Sequence, residues 1–272
     1  MRNAQPTGPP KKEKGSLSDV NLETARQYDL YFGAGHYDRR YPRPNTAVLN
    51  AVLAHMPAGG SVLDYGCGSG RYLLPLAEFC GSVIGYDISD TALRGAQARL
   101  AMSGLAEKVV LTGPDPALLD AVIAEAGPVD VAACLFGVLS HIETAMARRD
   151  VLQRLSAMLH PDHGRIVVSV PNRRRRFRGE QRAQRRCEGG EIRYARSFGR
   201  DRVQLPYMLY DSASLARELE MAGLVVESIR AESIFSEKSI TNNRWIGALD
   251  AVLRRTCPAK FGYGMIAVAR PA

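Results

Sequence analysis

The chain of 272 residues has no long apolar run. Nothing in it approaches the ~18 consecutive apolar residues of a membrane-spanning helix. Its polar, proline-rich start has no apolar segment of the kind a secretory signal requires. It is poor in cysteine: the five thiols, at 67, 80, 134, 187 and 257, show neither paired nor CxxC spacing. That argues against a disulfide framework or a zinc site, and for reduced thiols in a cytoplasmic protein. The five histidines (His36, His55, His141, His160 and His163) have no ligand spacing beyond His160 and His163, which fall in a turn, so no metal is expected. No internal repeat is visible. What is present, 46% hydrophobic residues, suffices to fill the core of one α/β domain with additions.

Net charge is also scarce outside one segment. The chain carries a formal +8, and RRRRFRGEQRAQRR, residues 173–186, holds eight arginines and one glutamate, which is +7 of it. Any inference about acidic partners rests on that segment.

The rest of the chain is organised around SVLDYGCGSG, residues 61–70. Val62 and Leu63 read as a short buried strand that Asp64 ends. Gly66, Gly68 and Gly70 then make a loop without side chains at alternate positions. An apolar helical pattern follows over 71–79, and a second strand over 83–86 ends in Asp87. Strand, glycine loop, helix, strand and acid, in that order, place a nucleotide-like ligand at the carboxyl end of a parallel sheet. Glycines let a ligand lie on the backbone, and the N–H groups opening the helix attract its polar atoms. An acid at the end of the next strand accepts both hydroxyl hydrogens of a ribose.

Asp64, Gly66, Cys67, Gly68 and Gly70 resemble motif I of the class I S-adenosylmethionine (SAM)-dependent methyltransferases. A dinucleotide-binding pattern would need glycine where this chain has Arg71. The resemblance implies a Rossmann-like α/β fold, a seven-stranded sheet of order 3-2-1-4-5-7-6 with helices on both faces, and SAM as cofactor. It implies that Asp64 and the loop of Gly66, Cys67, Gly68 and Gly70 hold the methionine end of SAM. Asp87, with Ile88 beside it, is then the ribose site, and Asp115, just after the third strand, faces the adenine amino group. Asp115 also reads as the cap of a helix over 117–125. Leu135, with the turn that follows it to residue 139, would line the methyl-transfer site.

Along the chain, residues 1–20 read as a disordered tail and 21–272 as one methyltransferase domain, with 173–210 inserted as a substrate cap. Tyr28, Tyr31, Phe32, Tyr37 and Tyr41 crowd the segment 21–43. They form either a lid over SAM and substrate or the packing of an N-terminal helix on the core. Helices are expected over 46–56 with Asn45 as cap, 90–102, 143–159 with Arg148, Arg149 and Arg154 outward, 213–222 and 244–255. Strands are expected over 108–111, 129–134, 166–170, 224–229 and 261–269. Residues 191–197 and 202–209 suggest a hairpin turning near Gly199, which brings Tyr194, Phe198, Tyr207 and Tyr210 to the cap. The segment 231–244 reads as a polar loop near the site.

His141 stands where many small-molecule members carry a histidine. An imidazole there suits a general base, or simply holds the loop. Tyr37, Tyr41, Arg173 and Tyr207 are the candidate substrate contacts. The arginine run is either a solvated basic face or a contact for phosphates: RNA, an anionic surface or a phosphorylated small substrate. Its single Phe177 offers little for base stacking.

Three functions follow. The first is methyl transfer from SAM to an O or N of a small-molecule biosynthetic intermediate, since the motifs are similar to those of ubiquinone-pathway and related enzymes. The second is methylation of tRNA through the arginine-rich insert, from a diffuse similarity to the wobble-uridine methyltransferases. The third is a SAM-binding sensor without turnover.

Overall fold

The computed structural model describes residues 17–33, 35–184, 189–198 and 201–272. The chain opens with α1 (Leu17–Gly33), α2 (His36–Arg40) and α3 (Thr46–Leu53), and enters the sheet at β1 (Ser61–Tyr65). It continues through α4 (Leu73–Phe79), β2 (Ser82–Tyr86), α5 (Asp90–Ala101), β3 (Val109–Thr112), α6 (Pro116–Ala126) and β4 (Val131–Cys134). Then come α7 (Val138–His141), α8 (Ala145–Ala157), β5 (Arg165–Pro171), α9 (Arg178–Ala183) and the strands β6 (Glu191–Phe198) and β7 (Asp201–Met208). The chain closes with α10 (Ser212–Met221), β8 (Leu224–Ser233), α11 (Glu237–Asn242), α12 (Arg244–Leu253) and β9 (Gly264–Pro271).

Seven strands form one sheet of order β3-β2-β1-β4-β5-β9-β8, and β6 and β7 form a separate antiparallel pair. Without that pair, the sheet order is the expected 3-2-1-4-5-7-6. The strands from β3 to β5 are parallel, and β9 runs antiparallel to both β5 and β8. Side chains alternate between the two faces, as the period of a strand requires. Val62, Val131, Ala133 and Val167 pack on the side of α3 and α4, and Leu63, Ala132, Cys134 and Ile166 on the side of α8 and α10. The strands are buried on both faces, so they read as continuous apolar runs.

Local signals hold at most boundaries. Asn45 caps α3 by accepting the Ala47 N–H at 3.0 Å. Asp211 caps α10 in a capping box with Ser214. Three expectations change. The helix α1 starts at Leu17, so residues 17–20 are helical, while 1–16 and the expected turn at Gly199 lie outside the described residues. Once the aromatic segment nucleates a helix, extending it backward costs little. The supposed polar loop over 231–244 is the end of β8, all of α11 and the first residue of α12. Its Ser236 and Asn243 are helix N-caps, accepting N–H groups of Ser239, and of Trp245 and Ile246.

Arg148 is the third change, since it points inward. It is buried, donates to Glu218 at 2.7 Å, and reaches the carbonyls of Ile142 and Glu143 at 3.1 and 3.2 Å. A guanidinium reads as surface in a helical pattern, but three acceptors at the end of α7 and on α10 satisfy it inside.

Candidate active site

The glycine loop follows β1 with its backbone anchored on β2. The N–H groups of Gly66 and Cys67 both donate to the Tyr86 carbonyl, at 2.7 and 3.0 Å. Gly66 takes φ +81°, and a Cβ there would lie 2.5 Å from the Val138 side chain, so only glycine fits against α7. Asp87 draws the loop in: its Oδ2 accepts the Gly68 N–H at 2.8 Å and its Oδ1 the Ser89 N–H at 2.9 Å. Burial nevertheless raises its carboxyl to about 6, against the lowering effect of those N–H groups.

Asp64 lies near the end of β1, just before this loop. It is 2% exposed, and its Oδ2 is buried with no hydrogen-bond partner. Burial, and then the neighbouring charge of Asp87, push its carboxyl up to about 7. An orphaned buried carboxylate oxygen has to find a cation or a donor. It suits the ammonium group at the methionine end of SAM, and Asp87 suits the ribose hydroxyls, so these residues fit the cofactor. The remaining expected contacts divide. Cys67 is buried, with its thiol raised by burial and its Sγ 3.2 Å from where a Cβ on Gly85 would stand; it packs against the sheet. Leu135 is likewise part of the core on that face, and Ile88 packs against the opposite one. Asp115 is exposed and caps α6 through the Ala117 N–H at 2.9 Å.

The turn after β4 is where the other elements converge. Phe136 has φ +55°, and Gly137 +80°. Ser169 on β5 holds both, accepting the Phe136 N–H on Oγ at 2.6 Å and the Gly137 N–H on its carbonyl at 2.8 Å. A bulky residue in the left-handed region is strained, and such strain is kept where the surroundings fix it. The Phe136 ring packs edge-on against Tyr41 at 4.7 Å and Tyr37 at 6.0 Å. From the other side the hairpin closes in: a Cβ on Gly137 would meet Tyr207 Oη at 2.6 Å. His141 lies between the hairpin and α1, its ring 4.4 Å from Tyr207 and 5.4 Å from Tyr28.

α1 spans these parts. Asp29 accepts from Ser89 Oγ at 2.6 Å and the Thr91 N–H at 3.1 Å, and Gln27 accepts the Gln204 N–H at 3.1 Å. Beyond it, Asp38 on α2 accepts from Ser69 Oγ at 2.6 Å. Phe32 sits over the loop, 3.0 Å from where a Cβ on Gly68 would be.

A buried ionic group beside the turn was not legible. Arg71 pairs with Glu237 at 2.5 Å, donates to the Arg43 carbonyl at 2.8 Å, and lies over the Phe136 ring at 4.8 Å. Asn45 Nδ2 bridges Glu237 at 2.9 Å and Glu232 at 3.4 Å. Glu232 is pushed up to about 8 by burial and by Glu237, against Arg176 and Arg71. Arg176, rather than Arg173, lines the narrow pocket next to Phe136 and Gly137. Arg173 faces an open cleft with Arg174, Arg178, Arg182 and Asp211. Arg185 and Arg186 of the run lie outside the described residues. The only sequence signal for this group was a charged Arg71 following the glycine loop.

Residues 37–229 match a family model described as a methyltransferase domain. The chain belongs to the SAM-dependent methyltransferase family. It is an enzyme family, and its cofactor is SAM. Among curated relatives, the chain is 28% identical over 158 residues to a dTDP-3-amino-3,6-dideoxy-alpha-D-glucopyranose N,N-dimethyltransferase of Streptomyces fradiae, covering 57% of this chain and 55% of that one. It is 32% identical over 84 residues to a tRNA/tmRNA (uracil-C(5))-methyltransferase of Neisseria gonorrhoeae, covering 29% and 37%. The chain thus spans little more than half of the first relative and about a third of the second. A solved DhpI-SAM-HEP complex superimposes with a TM-score of 0.61 at 16% identity, over 95% of this methyltransferase and 100% of that chain. Among the described residues, no helix is long and apolar enough to cross a membrane.

Proposed function

We propose that this methyltransferase moves the methyl group of SAM to an amine nitrogen or hydroxyl oxygen of a small-molecule biosynthetic intermediate. The observation that carries the reading is the shape of the region around the Phe136–Gly137 turn. Tyr41 packs on Phe136 and Tyr207 on Gly137, with a buried ionic group beside them, an enclosed aromatic surrounding rather than an open basic groove, which favours a compact acceptor. The similarity to an amino-sugar N,N-dimethyltransferase agrees with it.

In this reading Asp64 takes the ammonium of the cofactor, and Gly66, Gly68 and Gly70 let its chain lie on the loop. Cys67, Leu135 and Ile88 support that loop and turn from the core. Asp87 binds the ribose, and Asp115 stands at the adenine end. When bound, SAM supplies an electrophilic methyl carbon on a sulfonium, so the protein's work is alignment and exclusion of water. Tyr37 and Tyr41 fix Phe136 and close one side; Tyr207 closes the other. In the same reading His141 accepts the proton of a hydroxyl acceptor, a step an amine acceptor needs less.

A second reading, RNA methylation, draws on the open cleft of Arg173, Arg174, Arg178 and Arg182 and on the tRNA methyltransferase relative. One experiment separates the two. Purified protein is incubated with methyl-labelled SAM and an extract of its source, and the label is followed into RNA, protein, lipid and small-molecule fractions. Label in the small-molecule fraction is expected. Label in nuclease-sensitive material would replace this reading with the RNA one.

A further inference from the structure

The helix α12 is packed the opposite way round from what its sequence leads one to expect. An amphipathic helix at a protein surface normally buries its apolar stripe. Here Trp245, Leu249, Val252 and Leu253 recur at helical spacing along one side, and that side is turned outward: they are 86%, 51%, 62% and 41% exposed. The inner side is polar or small. Asp250 is 2% exposed, and its carboxylate accepts the N–H groups of Ile234 and Phe235 at 2.7 and 3.0 Å, which fastens the helix to the turn between β8 and α11. Gly247 lets the helix lie close on α11, since a Cβ there would stand 3.0 Å from the Ile240 carbonyl oxygen. Asn243 accepts the N–H groups of Trp245 and Ile246 and fixes the first turn. The helix is anchored by polar atoms, and its large apolar side chains are left in solvent. Apolar surface gathered in this way marks a contact.

The charge around the stripe points to the partner. From 238 to 261 the chain has five basic residues and one acid, the buried Asp250. Arg244 and Arg255 flank the stripe in sequence and are exposed, as are Lys238 on α11 and Lys260. We propose that α12 docks this methyltransferase on a membrane surface rich in anionic phospholipid, with the stripe entering the acyl boundary and Arg244 and Arg255 meeting the headgroup phosphates. A helix of that kind lies in the plane of the interface and is held by apolar burial together with attraction to anionic lipid. Tryptophan suits that depth, since its ring is apolar and its N–H reaches a polar partner. The stripe stands on a convex helix, which enters a fluid layer without needing a matching groove. A second copy of the chain fits less well: a two-fold contact through the stripe would set Arg244 and Arg255 among like charges. Residues 1–16 fit no better, with four basic residues, one acid and almost nothing apolar. Docking of this kind does not depend on which acceptor is methylated.

The test is vesicle binding by the full chain. Trp245 is the only tryptophan of the sequence, so its emission reports on the stripe directly. With vesicles of equal parts phosphatidylglycerol and phosphatidylcholine, the emission should shift to the blue and the protein should float with the lipid. With phosphatidylcholine alone, neither should occur. Leu249→Ser/Val252→Ser keeps the fluorophore and should weaken binding at least about tenfold through the apolar area withheld. Arg244→Gln/Arg255→Gln should weaken it about 25-fold, at roughly fivefold for each charge near the surface. Arg174→Ser/Arg178→Ser in the open cleft should leave it unchanged. All these side chains are exposed, so the variants keep the fold. Absence of binding to the anionic vesicles overturns the docking, as do equal binding to the neutral ones, binding with unshifted emission, or a loss that follows the open-cleft pair instead of the stripe. Light scattering without lipid tests for self-association: a dimer that Leu249→Ser/Val252→Ser abolishes would assign the stripe to a second copy and overturn the lipid assignment. Vesicle binding involves no methyl transfer, so its failure leaves the proposed reaction standing, and failure of the labelling experiment leaves the docking standing.

Discussion

Asp64 and Asp87 are both carboxylates at the ends of adjacent strands, yet they are held differently. Asp87 has two backbone donors, and Asp64 Oδ2 has none. Their separate treatment makes Asp64 the more sensitive partner of a cation. With its carboxyl pushed up to about 7, the site ionises only as pH rises through that value. SAM affinity should therefore increase with pH below about 7, by up to about tenfold per pH unit, and level off above. Asp64→Asn should bind more weakly at pH 8 and lose the slope. Equilibrium binding measured across that range checks it, and an unchanged slope in the variant would assign the titration elsewhere. The identity of both acids was legible because each sits beside its own sequence landmark, a glycine loop or the end of an apolar run. The inward direction of Arg176 was not. Its direction depends on Asn172 and Gln181 and on rings brought in from residue 263, none of which leaves a mark beside it in the sequence.

Among the elements, those that neighbours in sequence decide are legible: β1, the loop, α4 and β2, and the pair of β6 and β7. α11 leaves little mark in the sequence because its flanking caps, Ser236 and Asn243, are residue types equally common in loops. The ionic group joins positions 45, 71, 176, 232 and 237, which only the finished sheet brings together. Arg148 teaches the same lesson on α8. It ties that helix to Glu218 on α10 and to the carbonyls that end α7, and so carries part of the support for the turn bearing His141. Arg148→Ala leaves those acceptors and a largely buried glutamate without their cation, and should cost about 3 kcal/mol. For a domain of this size that is a drop in Tm of roughly 6–12 °C. A thermal melt within a degree of wild type would mean that the pair contributes nothing net.

For the molecule as a whole, three buried acids set the response to pH. Asp87, Asp64 and Glu232 reach about 6, 7 and 8 in the folded chain, each raised first by burial. They bind their protons more tightly folded than unfolded. The stability this lends is complete below about pH 4 and is lost as pH rises through each folded value. The Tm of the ligand-free protein should decline from about pH 4 to pH 8, and Glu232→Gln should flatten the upper part of that decline. A Tm that rises over this interval would contradict the burial of all three.

The sheet also has a consequence for how the protein is made. The strand between β5 and β8 is β9, whose residues 264–271 leave the ribosome after every other strand. The parallel half, from β3 to β5, can pair as it emerges, since chains acquire structure from the N-terminal side during synthesis. β8 has no such option: its partner in the sheet is a strand not yet synthesised, and β5 waits with one open edge. Assembly of the wall that carries Glu232 thus waits until residues 264–271 have emerged. A ribosome stalled short of residue 264 holds a nearly finished parallel half of the sheet beside an antiparallel edge that cannot yet form.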